Sequence, residues 1–165
     1  MRLSEGDLDL AFANKLKESP EFAVWLLSRT KFQEDASRSR LLYEEQRLAR
    51  QAKHWWKHWW CKVTELDAES ETDIFAVFEV ADIRRRFALH IENKTATSLF
   101  TRNQAQSYRA RANHMMNKSK YLGYSDFQTI LIAPRIFRDC NKAQCDIFDC
   151  YISHDEIAKF IPEFM

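Results

Sequence analysis

Arg86-Phe87-Ala88-Leu89-His90-Ile91-Glu92-Asn93-Lys94 is the stretch whose reading decides the fold. Phe87, Leu89 and Ile91 alternate with Ala88, His90, Glu92 and Lys94, which is the two-residue period of a β-strand. The apolar set asks for a core. The other set ends in a carboxylate and an ammonium two residues apart, which a strand projects from one face. Upstream, Ser70-Glu71-Thr72-Asp73 runs into Ile74-Phe75-Ala76-Val77-Phe78-Glu79-Val80, a second strand with Asp73 at its start. An Asp on one strand and Glu-x-Lys on the next supply two hard oxygen ligands for a divalent cation, with an amine nearby. Metal-assisted phosphodiester cleavage requires such a set.

Composition bounds the reading. At 165 residues a single domain, 1–165, is expected, with a core of ordinary size. Hydrophobic residues make up 45% and charged residues 30% of the chain, as in soluble globular proteins and unlike disordered ones. The formal net charge is only +1, so any surface for nucleic acid must be a local basic patch. Gly6 and Gly123 are the two glycines, which excludes a Gly-rich phosphate loop. No apolar run reaches membrane-spanning length, and the N-terminus carries no signal-peptide apolar region. The expectation is a cytoplasmic protein, away from membranes, with its four cysteines as thiols.

Outward from the strand pair, the first 56 residues read as helical and residues 57–165 as the core. Asp7 to Lys17 forms a helix capped by Ser4, with Leu8, Phe12 and Leu16 as its apolar stripe. Ser19-Pro20 starts a second helix running to about Phe32. Ala36 to about Trp55 reads as a third, highly charged helix. His54-Trp55-Trp56-Lys57-His58-Trp59-Trp60 then leads into a first strand ending near Leu66, and a polar turn covers Asp67 to Thr72. Those aromatics with their cations either fill the space between helix and sheet or present a surface for bases, phosphates or a partner. After Lys94 there is no Asp or Glu before Ser125, while Arg102, Arg109, Arg111, Lys118 and Lys120 are all present. That segment is helical from Thr101 to about Lys120, with Gln104, Tyr108 and Arg111 on one face. Phe127 to Ala133 is a buried strand in parallel position, Cys145 to Ile152 a last strand, and Ser153 caps a terminal helix.

Asp73 followed by Glu92-Asn93-Lys94 resembles the PD-(D/E)xK phosphodiesterase superfamily, with Thr72 in place of the Pro. Gln104-Ala105-Gln106-Ser107-Tyr108 matches the QxxxY element of RecB-type nucleases. The chain also looks like a group of small bacterial PD-(D/E)xK proteins. These share its Asp7-Leu8-Asp9-Leu10 helix, its Ser19-Pro20-Glu21-Phe22 turn, its Ile91–Lys94 hairpin end and its Leu131–Pro134 strand, and residues 33–58 match least. The resemblance implies a restriction-endonuclease-like fold: an α/β domain of core order αβββαβ, with a mixed central sheet flanked by helices and extra N-terminal helices. It implies a Mg²⁺- or Mn²⁺-dependent nuclease, with DNA as the superfamily's commonest substrate and RNA left open by the sequence itself. Asp73, Glu92, Lys94 and Gln104 would be the catalytic set. The metal ligands would be Asp73, Glu92, the Asn93 backbone carbonyl and an acid from a preceding helix, for which Glu45, Asp7 and Asp9 are at hand. The small relatives often carry Glu where this chain has Asn14 or Lys15. Tyr108 would join Gln104 in positioning the scissile strand, with Arg102, Arg109, Arg111 and Lys118 on the nucleic acid.

Some QxxxY nucleases hold an iron–sulfur cluster with one early and three late cysteines. Cys61 and Cys140-x4-Cys145-x4-Cys150 lack the Cys-x2-Cys that clusters and zinc sites usually contain, and the poor His54/His58 pair does not supply it. Two other readings stand beside the nuclease. One is a module on the same fold that binds nucleic acid without cutting. The other is an interaction protein, as a homodimer or with a larger defence or repair partner, docking through the tryptophans.

Overall fold

The computed structural model describes residues 2–63 and 68–165, with the backbone alone at 68–70. In chain order the elements are α1 (Glu5–Glu18), α2 (Pro20–Ser28), β1 (Ser39–Leu41), α3 (Tyr43–Arg50), β2 (Trp59–Val63), β3 (Ala68–Thr72), β4 (Ile74–Val80) and β5 (Arg85–Asn93). They continue with α4 (Gln104–Met115), β6 (Asp126–Ala133), α5 (Arg135–Cys140), α6 (Lys142–Cys145), β7 (Cys150–Ser153) and α7 (His154–Ile157). The fold is mixed α/β, with a five-stranded mixed sheet in the order β1-β4-β5-β6-β7 flanked by helices. β1, β4 and β5 are antiparallel, whereas β5, β6 and β7 are parallel.

Several boundaries differ from the sequence reading. The long third helix is instead a 3₁₀ segment (Gln33–Arg38), the edge strand β1 and the two-turn helix α3. The first 56 residues are therefore not all helical, because β1 pairs with β4 in the main sheet. The reason is an edge that needs covering. Past β1, Leu42 N–H donates to the Val77 carbonyl at 2.8 Å. The fully buried Gln46 then takes over: its Oε1 accepts from Val77 N–H at 2.7 Å, and its Nε2 donates to Phe75 O at 2.9 Å and Trp55 O at 3.1 Å. Phe75 N–H goes to the Trp56 carbonyl at 3.0 Å. One amide side chain and a loop thus satisfy the backbone of β4 where no strand continues.

The strand expected from Trp60 to Leu66 is β2, which ends at Val63; residues 64–66 of that expectation lie outside the described residues. The polar turn expected up to Thr72 contains strand β3, which pairs with β2 as a separate two-stranded sheet. The three-strand meander is thus replaced by the β4–β5 hairpin, with β1 on its outer side. The expected last strand is shorter, since Cys145 ends α6 and only Cys150–Ser153 extend.

β5 lies in the middle of the sheet and is buried on both faces. Phe87, Leu89 and Ile91 meet the α1 and α2 side, packing with Phe12, Leu16, Phe22 and Leu26. Ala88 meets the α4 side with Ala112, Met115, Phe75 and Trp59. A third cluster joins Ala105 and Tyr108 of α4 to Leu131, Phe137 and Phe148. Of the four neighbouring indoles, Trp55 and Trp56 enter the first cluster and Trp59 the second, leaving Trp60 exposed. Among the described residues no helix is long and apolar enough to cross a membrane.

Candidate functional site

The β4–β5 hairpin builds the site by register alone. Ile74 pairs with Ile91, so one step further along the ladder Asp73 stands opposite Glu92. Glu92 shows only 1% of its surface, while Asp73 is half-buried and gives the pair its opening. Burial, then the charges of Glu92 and Asp9, push the Asp73 carboxyl well above the usual carboxylate range.

Helix α4 fixes Glu92 from the far side. Gln104 Nε2 donates to Glu92 Oε1 at 2.6 Å, and the Tyr108 hydroxyl donates to Oε2. The same hydroxyl accepts Asp73 N–H at 3.1 Å, so Tyr108 ties both acids to one helix. Lys94 Nζ lies 2.8 Å from Glu92 Oε1. Burial alone would lower the Lys94 ammonium, but Glu92 beside it reverses the sign and raises it. Its charge is therefore kept.

Asp9 enters from α1. It is buried beside the stripe of Leu8, Phe12 and Leu16, and accepts a hydrogen bond from Asn93 Nδ2 at 3.0 Å. Burial, together with the charges of Glu92 and Glu5, raises its carboxyl to about 7 against the pull of Asn93 and Lys57. The Asn93 Oδ1 faces His154 Nε2 at 3.1 Å, and Asn93 N–H points at Asp73 Oδ2 at 3.4 Å. Three carboxyls, from α1, from the link between β3 and β4 and from β5, thus crowd one end of β5, with Lys94 as the buried cation among them.

Behind the acids runs a buried polar chain that the sequence reading did not foresee. Arg111 Nε donates to Thr72 Oγ1 at 2.7 Å, and Thr72 faces His90 Nδ1 at 2.8 Å. His90 Nε2 meets the Tyr124 hydroxyl at 3.1 Å, which donates to the Ala112 carbonyl at 2.5 Å. Followed in one direction, each group gives one hydrogen and takes one, which requires a neutral His90 with its proton on Nε2. Burial holds the His90 imidazole well below its ordinary value, and Arg111 adds to this. Thr72 is a link in this chain.

The remaining candidates divide. Asp7 is exposed and closes the capping box of α1, accepting from Ser4 N at 2.9 Å, so it does not reach the acids. Glu45 pairs with Arg40 at 2.9 Å beside β1, away from the site. Arg111, expected on a phosphate, and Tyr108, expected on the scissile strand, are each 1% exposed, because their helix face is pressed onto the sheet. Arg109 is paired with Asp149. Arg102 and Lys118 are exposed. The cations after Lys94 therefore do not form one open stripe. The arginines of the β4–β5 turn sit at the opposite end of β5, with Arg85 on Asp35 and Arg86 on Glu79. His54 and His58 lie beyond the end of α3, not on a helix. Cys61 and Cys145 are buried and Cys150 donates to the Arg29 carbonyl at 3.3 Å.

The donor chemistry, carboxyl and carbonyl oxygen, suits a hard divalent cation. As the side chains stand, no group of three His, Cys, Asp or Glu residues at metal-holding distance occurs among the described residues. Comparison of the chain with protein-family models, curated proteins and solved structures found no match.

Proposed function

We propose that this chain is a nuclease that hydrolyses phosphodiester bonds in nucleic acid, with DNA as substrate and Mg²⁺ or Mn²⁺ as cofactor. The reading agrees with the PD-(D/E)xK resemblance and carries a cytoplasmic setting with it. The observation that supports it best is the crowding of Asp9, Asp73 and Glu92 at one half-open point, with Lys94 2.8 Å from Glu92. Carboxyls that raise one another's proton affinity resist ionising together, and a bound cation would relieve that resistance and displace their protons. Asp73, Glu92 and the Asn93 carbonyl would hold the metal, with Asp9 as the helix acid. A metal held there supplies an acidified water and offsets charge on the phosphate.

The chain's own groups have separate tasks. Lys94, kept protonated by Glu92, faces developing negative charge and orients the attacking water. Gln104 and Tyr108 are positioning residues, since both grip Glu92.

A module that binds without cutting is the second reading, and one observation favours it. Both Glu92 oxygens are already taken by Lys94, Gln104 and Tyr108. Labelled single- and double-stranded DNA incubated with Mg²⁺, Mn²⁺ or EDTA decides between them. Metal-dependent cleavage that Asp73→Asn abolishes is the expected result. Binding without cleavage in every divalent metal would sink the nuclease. The interaction-protein reading loses most of its support, because Trp55, Trp56 and Trp59 are interior.

A further inference from the structure

Trp60 is the one member of the tryptophan cluster that the core does not absorb, with 52% of its surface exposed. It borders a cavity of about 440 Å³ whose lining includes Arg50, His58, Trp59, Lys120 and Tyr121. No Asp or Glu stands among the described residues lining it. The walls are held in place. Arg50 donates to the Lys57 carbonyl at 2.7 Å and lies 4.8 Å over the Trp59 ring. The Tyr121 hydroxyl donates to the Trp60 carbonyl at 3.3 Å, and the Lys120 ammonium lies 5.4 Å over the Tyr121 ring. The nearby Glu71 carboxylate is taken up by His58, through backbone N–H and ring Nδ1, both at 3.1 Å.

An exposed indole beside fixed cations fits a flat aromatic ligand carrying negative charge. An apolar helix would leave the cations unused, and an acidic peptide would leave the indole face unused. A nucleobase with its phosphate uses both. The position agrees with this. Trp60 pairs with Glu71, two residues before Asp73, so the cavity and the carboxyl cluster are served by the same β2–β3 ribbon, with about 7 Å of backbone between Glu71 and Asp73. We infer that this cavity is a nucleotide subsite: Trp60 stacks on one unpaired base of a single-stranded stretch, and Arg50 and Lys120 take the flanking phosphate. The choice of a nucleic-acid chain as ligand rests on the nuclease reading. The chemistry of the cavity stands independently of it.

The test is a binding measurement without metal. A short fluorescein-labelled oligothymidylate is titrated in EDTA, by fluorescence anisotropy, with the full chain and with Trp60→Ala, Trp60→Phe and Lys120→Ala. Trp60→Ala should weaken binding about ten-fold, and Trp60→Phe should recover most of the loss, because it keeps an aromatic face. Lys120→Ala should weaken binding and flatten its salt dependence. Unaltered melting temperatures confirm intact folds. Equal affinity of the parent and Trp60→Ala, or no binding by the parent, overturns the subsite, whatever the cleavage assay shows. Competition by a duplex as strong as by the single strand overturns the unpaired base. Trp60-dependent binding with no cleavage in Mg²⁺ or Mn²⁺ upholds the subsite and overturns the nuclease.

Discussion

Removing the charge of Asp9 should stabilise the metal-free protein at neutral and alkaline pH. In the folded chain this carboxyl titrates near 7 instead of the ordinary 3.8. The gap is about three pH units, worth about 4 kcal/mol at about 1.4 kcal/mol each. The sign follows from which state binds the proton more tightly. The folded value is raised, so the fold suffers no penalty below about pH 4. The penalty grows as pH climbs through the unfolded value and is complete above the folded one, near 7. Asp9→Asn keeps an oxygen for the Asn93 amide, so the local hydrogen bond survives. Allowing for relaxation, the variant should gain about 2–4 kcal/mol at pH 8. For a domain of this size that is a rise of roughly 5–12 °C in melting temperature. The assay is thermal and urea unfolding in EDTA at pH 4 and pH 8. The gain should be present at pH 8 and absent at pH 4. Equal or lower stability of Asp9→Asn at pH 8, or a gain of the same size at both pH values, would refute the crowded-carboxylate account. Adding Mn²⁺ at pH 8 should stabilise the parent and leave Asp9→Asn nearly unmoved.

Three other outcomes can be checked with single substitutions. Tyr108→Phe removes the hydroxyl shared by Glu92 and Asp73 N–H, and should cut the turnover number by roughly ten- to a hundred-fold with little change in KM; equal loss in both parameters would argue that Tyr108 acts on substrate binding instead. Gln46→Leu strands Val77 N–H and the Phe75 carbonyl in the interior, which should cost about 3 kcal/mol in urea unfolding, and a loss below about 1 kcal/mol would contradict its role as an edge cover. Burial depresses the His154 imidazole to about 4 from an ordinary 6.5, so it withholds stability as pH falls from 6.5 towards 4, where the unfolded chain takes up the proton first. His154→Gln should therefore lose less stability over that window than the parent, by about 2–3 kcal/mol; parallel stability-against-pH curves would exclude the effect.

Much of the site was legible in local pattern. The alternation from Phe87 to Lys94 placed Glu92 and Lys94 on one strand face, and the hairpin they end brings Asp73 opposite Glu92. The spacing of Gln104, Tyr108 and Arg111 announced a shared helix face. What that face touches was not legible: it grips Glu92 and Thr72, where phosphate contacts were expected. The choice among the helix acids had readable signals. Asp7 stands three residues after Ser4, the spacing of a capping box, which spends it on the helix end. Asp9 lies one position from Leu8 and three from Phe12, at the border of the buried stripe. The misread third helix shows the opposite case. Its charges suit a solvated helix, and only the need to close the edge of β4 makes Ser39–Leu41 a strand and buries Gln46.

Period and spacing, which are properties of neighbours in the chain, determined the strand pair, the α4 face, the capped first helix and the mixed α/β class. Contacts between residues far apart decided the rest. The Asp9–Asn93 bond spans 84 positions, and the Arg111–Thr72 bond spans 39. The burial of three indoles out of four and the raised Asp9 carboxyl likewise exist only once the layers close. Burial and desolvation belong to the packed interior, and no local pattern of residues encodes which partner will supply the missing hydrogen bond or charge.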